Sequence, residues 1–204
     1  VKLIYMLDSI KQKLEQINLM DATKYKKAGV LILLSRESNK DEYNVLFTKR
    51  SAQLKTHSGE VSFPGGKWEE ADTNLYATAL RESNEEINLN LENVTKLGSL
   101  NFLLSRHKIE VNPFVGYLEK LQDFKGNFEI DEIFTVPLSF LMNEKNITYK
   151  EFNRKDLKVY IPSWVYNGNH IWGLTAMIAA DFLNICFDAS IKTDLDLIRT
   201  YDEY

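Results

Sequence analysis

Apolar positions recur along this chain with two different periods. Near the N-terminus Leu7, Ile10, Leu14 and Ile17 fall three or four residues apart, the spacing of one face of an amphipathic helix. "AGVLILLS" (28–35) is instead an unbroken apolar run of strand length, and "YNVLFTKR" (43–50) is a second run rich in Val, Phe and Thr. With the polar turn "RESNKDE" between them, the two predict a hairpin with one strand buried on both faces. A polar loop, "SAQLKTHSGE" (51–60), leads to "VSFPGG", a short extended piece that ends in a break. A helix follows over about residues 73–87. Two further strands, 95–105 and 109–119, flank a turn at Arg106–Lys108. Residues 128–142 start extended and become helical after Pro137. "TYKEFNRKDLKVYIPSWVYNGNHIWG" alternates like a hairpin, with Asn167-Gly168 as its turn signal. The last helix, 174–187, is apolar on more than one face and is therefore expected in the core. Strands and helices mix without a strict βαβα rhythm, so the pattern predicts an α/β fold with a mixed sheet between helices.

Composition narrows the function classes. The chain has 204 residues, 44% of them apolar and 26% charged, enough for one good core. Its formal charge of −4 offers no bulk attraction to nucleic acid or to an anionic membrane. An anionic ligand needs a local device, a cation cluster or a metal ion. The single cysteine, Cys186, excludes an internal disulfide and points to a reducing compartment. Its apolar setting, "DFLNICFD", reads as a small buried filler. No apolar run approaches the roughly 20 residues of a membrane span. A cytoplasmic protein is expected, with an organelle address missing from this sequence as the alternative.

The segment "SFPGGKWEEADTNLYATALRESNEEINL" (62–89) carries the chemistry. At helical spacing Tyr76, Leu80, Ser83 and Ile87 share a side that suits the core. Glu82, Glu85 and Glu86, spaced i, i+3 and i+4, cluster on another. Carboxylates in a last helical turn oppose the macrodipole, at roughly 0.3–1 kcal/mol apiece at low salt. Arg81, four residues before Glu85, offsets part of this in the weaker orientation. Two readings compete: a solvated acidic face, or a site where a divalent cation removes the repulsion. The turn upstream favours the second. Pro64 withholds an N–H, while Gly65 and Gly66 permit a sharp bend beside the acidic helix.

This combination resembles the Nudix box, G-x5-E-x7-R-E-U-x-E-E-x-G-U, of the Nudix hydrolases, with U an aliphatic residue. Gly66, Arg81, Glu82, Glu85, Glu86 and Leu89 match it. Asp72 stands where the first glutamate is expected, with one extra residue before Arg81; Ser83 takes an aliphatic position, and Asn88 replaces the last glycine. Asn is the next-best residue for a left-handed helix cap, and Asp72 is suited to capping the N-terminus. Upstream, "LFTKRSAQLKTHSGEVSFPGG" (46–66) is similar to the signature of the coenzyme A pyrophosphatase branch, through Leu46, Thr48, Arg50, Ser51, Gly59, Phe63, Pro64, Gly65 and Gly66. Lys55 replaces that signature's second arginine, keeping its charge without the fork geometry.

The resemblance implies a Nudix fold over residues 26–187, an N-terminal helical extension (1–25) and a C-terminal tail (188–204). It implies a Mg²⁺- or Mn²⁺-dependent enzyme that hydrolyses the diphosphate of coenzyme A or a derivative to 3′,5′-ADP and (acyl-)4′-phosphopantetheine. The alternatives are another nucleoside diphosphate derivative (ADP-ribose, a dinucleoside polyphosphate, a nucleoside triphosphate) or a non-catalytic binding module. The retained glutamates argue against the module. Glu82 and Glu86 are the implied principal metal ligands, and Glu85 is a further ligand or the base that orients water. Gly66 lets backbone approach the metal, and Arg81 orients a glutamate. Arg50, Lys55 and Gly65 are the candidates for substrate, and Glu129, Asp131 or Glu132 could supply a base from a second loop. His57, in the polar loop, could help contact phosphates or face solvent; His107 and His170 have no partner at ligand spacing, so no zinc site is expected. Trp164, Tyr166 and Trp172 fit a substrate pocket or the core equally well. The partner expected is a small-molecule nucleotide, with no nucleic acid and no membrane; a homodimer is compatible with the resemblance.

Overall fold

The structure, a computed structural model, describes residues 2–36, 42–54, 56–120, 122–154 and 157–195. In chain order the elements are α1 (Lys2–Glu15), β1 (Lys26–Arg36), β2 (Tyr43–Arg50), β3 (Val61–Ser62), β4 (Gly65–Lys67), α2 (Leu75–Ile87), β5 (Val94–Ser99), β6 (Leu103–Leu104), β7 (Ile109–Leu118), β8 (Ile130–Pro137), α3 (Leu138–Met142), β9 (Thr148–Arg154), β10 (Leu157–Tyr166), β11 (Asn169–Ile171) and α4 (Gly173–Phe187). The expected strands and helices are present, except that the single strand expected over 95–105 is broken into β5 and β6, with residues 100–102 in neither. The turn expected between β1 and β2 falls largely on residues 37–41, outside the described set.

β1 is the centre of a mixed sheet. It runs parallel to β7 on one edge, from Lys26 beside Ile109 to Leu34 beside Tyr117. Its other edge is divided. Ala28–Val30 pair with β4, and Leu34–Arg36 pair with β2, both antiparallel. Between the two, the N–H of Leu31 donates to the Pro64 carbonyl at 2.9 Å. Beyond Ser62 the chain therefore leaves β2, crosses Phe63–Pro64 and resumes on β1. This step delivers Gly65 and Gly66 to the middle of the sheet. A separate sheet orders β9, β10 and β11, and Asn167 and Gly168 turn between the last two with φ of 48° and 80°, as the Asn-Gly pair demands.

Alternation along β1 and β2 divides the core in two. Leu31, Leu33 and Leu46 face α2 and pack with Ala79, Ile87 and Leu89. Ile32, Leu34, Val45 and Phe47 face the opposite way, in a larger cluster with Ile10 and Leu14 of α1 and with Met177, Ile178, Phe182 and Leu183 of α4. A sheet buried on both faces under helices is the α/β sandwich that the pattern predicts. α2 sits close: a Cβ on Gly29 would run into the Leu75 carbonyl and Ala79. α1 is held by more than its apolar stripe, since the Lys13 ammonium donates to the Cys186 carbonyl and to Asp188. No helix among the described residues is long and apolar enough to cross a membrane.

Candidate active site

The site forms where α2 ends beside β4 and the last residues of β2. Asn74 caps the start of α2, its Oδ1 accepting from the Ala77 N–H at 2.9 Å. Asn88 closes the helix in the left-handed region at φ 54°, the role proposed for it in place of glycine. Asp72 is not the N-cap. It accepts from Arg81 Nε at 2.9 Å and Nη2 at 3.1 Å, from Thr78 Oγ1 at 2.9 Å and from the Glu69 N–H at 3.0 Å. The hydrogen bonds from Arg81 hold its carboxyl well below the usual carboxylate range. Three cap-competent residues, Asp72, Thr73 and Asn74, stand in succession; Asp72 is taken up by Arg81, and Asn74 caps.

Clamped by Asp72, Arg81 reaches along the acidic edge. Its Nη1 lies 3.1 Å from Glu82 Oε1 and 3.2 Å from Glu85 Oε1, and its Nη2 donates to the Lys67 carbonyl at 3.1 Å. All its charged partners are carboxylates, so it acts as a brace for them. Glu82 lies against Gly66, where a Cβ would run into its carboxylate. Burial raises the Glu82 carboxyl, against the attraction of Arg81.

Glu86 faces the sheet. Its side chain is 7% exposed, Oε2 accepts from the Gly65 N–H at 3.0 Å, and Oε1 lies 3.6 Å from Arg50 Nη1. Gly65 makes this donation at φ 146°, a backbone state open to glycine, and a Cβ there would meet the Gly29 carbonyl. Burial pushes the Glu86 carboxyl up to about 7, with repulsion from Glu82 and Glu129 adding to it and the Gly65 N–H and Arg50 opposing it. A carboxylate so placed is a poor resident unless a cation shares it.

Arg50 reaches α2 because of strand geometry. Leu46, Thr48 and Arg50 alternate onto the α2 face, and the register with β8 slips after Lys49, which faces Glu132 while Arg50 faces Ile130. Asp131 is the extra residue and accepts from the Ala52 N–H at 2.9 Å. Glu132 accepts from Asn169 on the other face. Of the three second-loop acids, only Glu129 enters the site: its Oε2 accepts from Arg50 Nη2 at 3.0 Å. Arg50 Nε is buried without a hydrogen-bond partner.

The structure thus brings together Glu82, Glu85, Glu86, Arg81, Arg50, Gly65 and Gly66. Lys55 lies outside the described residues. Trp164 is core, its Nε1 donating to the Leu141 carbonyl. Tyr166 packs edge-on against Phe140, and the half-exposed Trp172 stacks on His170. His57 is paired with Glu60 and lies edge-on to His107. The Gly65 N–H donation and the choice of Glu129 could not be read from residue types, because both depend on strand register.

The residues fit a divalent cation by two observations: a buried carboxylate, Glu86, with one backbone N–H and a guanidinium at 3.6 Å as its partners, and a second carboxylate, Glu82, against the Gly66 backbone. Among the described residues no three His, Cys, Asp or Glu side chains converge on one point. Like charges keep apart: Glu82 and Glu85 share the Arg81 guanidinium, while Glu86 takes the Gly65 N–H and faces Arg50.

The NUDIX domain model matches residues 25–150. Nudix hydrolase 15, mitochondrial, of Arabidopsis thaliana is 37% identical over 175 residues, which are 82% of this chain and 61% of that protein. The mitochondrial coenzyme A diphosphatase NUDT8 of Homo sapiens is 36% identical over 139 residues, 66% of this chain and 59% of that protein. The chain therefore spans about three fifths of the length of these curated relatives. Among solved structures, a MutT/nudix family protein from Enterococcus faecalis aligns with 92% of this chain and 75% of its own, at a TM-score of 0.54 and 15% identity, a likeness of fold. With the box glutamates gathered at the end of α2 against the Gly65–Gly66 strand, the chain belongs to the Nudix family.

Proposed function

We propose that this chain hydrolyses the diphosphate of coenzyme A or of one of its derivatives, releasing 3′,5′-ADP and 4′-phosphopantetheine or its acyl form. The observation that carries this reading is a convergence. Arg50 and Gly65, both from the stretch similar to coenzyme A pyrophosphatases, reach the same carboxylate, Glu86 of the box helix. The human relative named as a coenzyme A diphosphatase supports the same substrate.

In the reaction, water adds to one phosphorus as the bridging P–O bond breaks, and charge accumulates on the phosphate oxygens. Mg²⁺ or Mn²⁺, when bound, neutralises that charge and lowers the pKa of coordinated water. Glu82 and Glu86 would hold it, with Glu85 and the Gly66 backbone beside them. Glu85, the most exposed of the three glutamates at 54%, serves as a further ligand or accepts a proton from the attacking water. Arg81, fixed by Asp72, keeps Glu82 and Glu85 in position. Arg50 supplies guanidinium N–H groups to phosphate oxygens, and Lys55, five residues later in the sequence, adds a second cation. The working compartment is the cytoplasm, with an organelle as the alternative in view of the relatives named as mitochondrial.

A substrate panel tests the choice of diphosphate. Coenzyme A, ADP-ribose and a dinucleoside polyphosphate are compared by kcat/KM with Mg²⁺. Coenzyme A is expected to be cut at least tenfold more efficiently than the others; faster cleavage of ADP-ribose would overturn the substrate while leaving the diphosphate chemistry.

A further inference from the structure

Phe128 is the most exposed of the large apolar side chains among the described residues, at 84%. Its backbone is anything but loose. Residues Asn127–Ile130 form a β-turn closed by Ile130 N–H donating to the Asn127 carbonyl at 3.2 Å, with Phe128 at the tip. The Asn127 side chain locks the same turn, its Oδ1 accepting from the Glu129 N–H at 2.8 Å. Two outside elements then pin it. The Asn127 N–H donates to the Glu86 carbonyl at 3.0 Å, and the Ser51 N–H donates to the Glu129 carbonyl at 2.7 Å. The turn is therefore tied to the metal-ligand helix on one side and to the loop after Arg50 on the other. Glu129, the next residue, bonds Arg50, so the turn that carries the ring also carries a side chain of the site.

Leaving a phenyl ring in water on a turn fixed by four hydrogen bonds serves no core. The ring pairs with none of the aromatic side chains that stack elsewhere among the described residues. A flat apolar face carried on a fixed turn, next in sequence to the residue that bonds Arg50, is what a nucleobase stacks on. We propose that Phe128 is the stacking platform for the base of the nucleotide whose diphosphate is cut. The inference rests on the reading above that the substrate is a nucleoside diphosphate derivative. It adds a recognition residue that lies outside both the box and the upstream stretch. Phe128 acts on binding and leaves the bond-breaking step alone, so its removal changes KM and not kcat.

The test uses the non-hydrolysable product-like probe adenosine 3′,5′-bisphosphate and, as a probe without a base, inorganic pyrophosphate. Both are titrated calorimetrically with Mg²⁺ into the wild-type chain and into Phe128→Ala, Phe128→Leu and Phe128→Trp. Exposure of the ring means that all three variants should keep the wild-type circular dichroism spectrum. Phe128→Ala is expected to bind adenosine 3′,5′-bisphosphate about tenfold more weakly or worse. Phe128→Trp should restore binding, Phe128→Leu should not, and pyrophosphate should bind all four proteins equally. Unchanged nucleotide affinity in Phe128→Ala, an equal loss for pyrophosphate, full rescue by Leu, or a wild-type chain that does not bind the nucleotide would each overturn the platform. Coenzyme A turnover, measured separately on the wild type, reports on the substrate assignment independently.

Discussion

Glu86 has little solvent, two acidic neighbours, one backbone N–H at 3.0 Å and one guanidinium at 3.6 Å. Its carboxyl is raised from an ordinary 4.5 to about 7, so between those values the folded chain binds a proton that the unfolded chain does not. Stability from this group is full below about pH 4.5 and is lost as pH rises through about 7. Metal-free Glu86→Gln should lack that loss and melt above the metal-free wild type at pH 8. Thermal denaturation in a chelator at pH 5 and 8 checks this; parallel slopes for the two proteins would refute it. The neighbouring glycines make a second, contrasting prediction. In Gly66→Ala the new methyl meets only the end of a flexible side chain, so the fold should survive while Mn²⁺ affinity falls about tenfold as Glu82 is displaced. In Gly65→Ala the methyl meets backbone at positive φ, and the chain should be strongly destabilised. Mn²⁺ titration and melting curves distinguish the two.

Helix α2 places the site, and its two ends differ in how directly residue type dictates structure. Asn88 was legible as a left-handed cap because only its residue type and its place after a periodic run were needed. Asn88→Gly should be tolerated, whereas Asn88→Val should cost about 1–2 kcal/mol in chemical denaturation, the penalty of a β-branched residue at positive φ. Residue type alone favours Asp72 as the N-cap, because capping and ion pairing draw on the same short acidic side chain and the distance to Arg81 is set by the fold. Removing the true cap in Asn74→Ala should cost about 1 kcal/mol. The bulge in β8 hid the second acid in the same way. Glu129, Asp131 and Glu132 are indistinguishable by type, and one inserted residue sends them to three different partners. Phe128 carried no signal at all, since exposure is a property of the folded chain.

Across the whole molecule, the site depends on a sheet that both core clusters hold in register. α1 takes part in this: Ile10 and Leu14 are buried in the larger cluster, and Leu14 closes against Gly98, where a Cβ would not fit. Leu14→Ala should therefore destabilise the chain by about 2–5 kcal/mol. Cys186 reports the same core. Burial pushes its thiol up to about 12, so at pH 8 it should resist alkylation until denaturant unfolds the chain, while rapid labelling of the native protein would contradict the packing of α1 on α4. The layered fold was legible in the hydrophobic periods, because burial on one or two faces imposes them directly. The division of β1 between β2 and β4, which brings the glycine pair to the acidic helix, has no such periodic trace. The most direct measurement of what that junction does is product analysis. Wild type and Glu86→Gln are incubated with coenzyme A and Mg²⁺, with and without chelator, and the products are identified by mass. The prediction is 3′,5′-ADP and 4′-phosphopantetheine in equal amounts from the wild type, none with chelator, and at least about 100-fold slower formation by a folded Glu86→Gln. Coenzyme A left intact by the wild type, or cut equally fast by the variant, would contradict it.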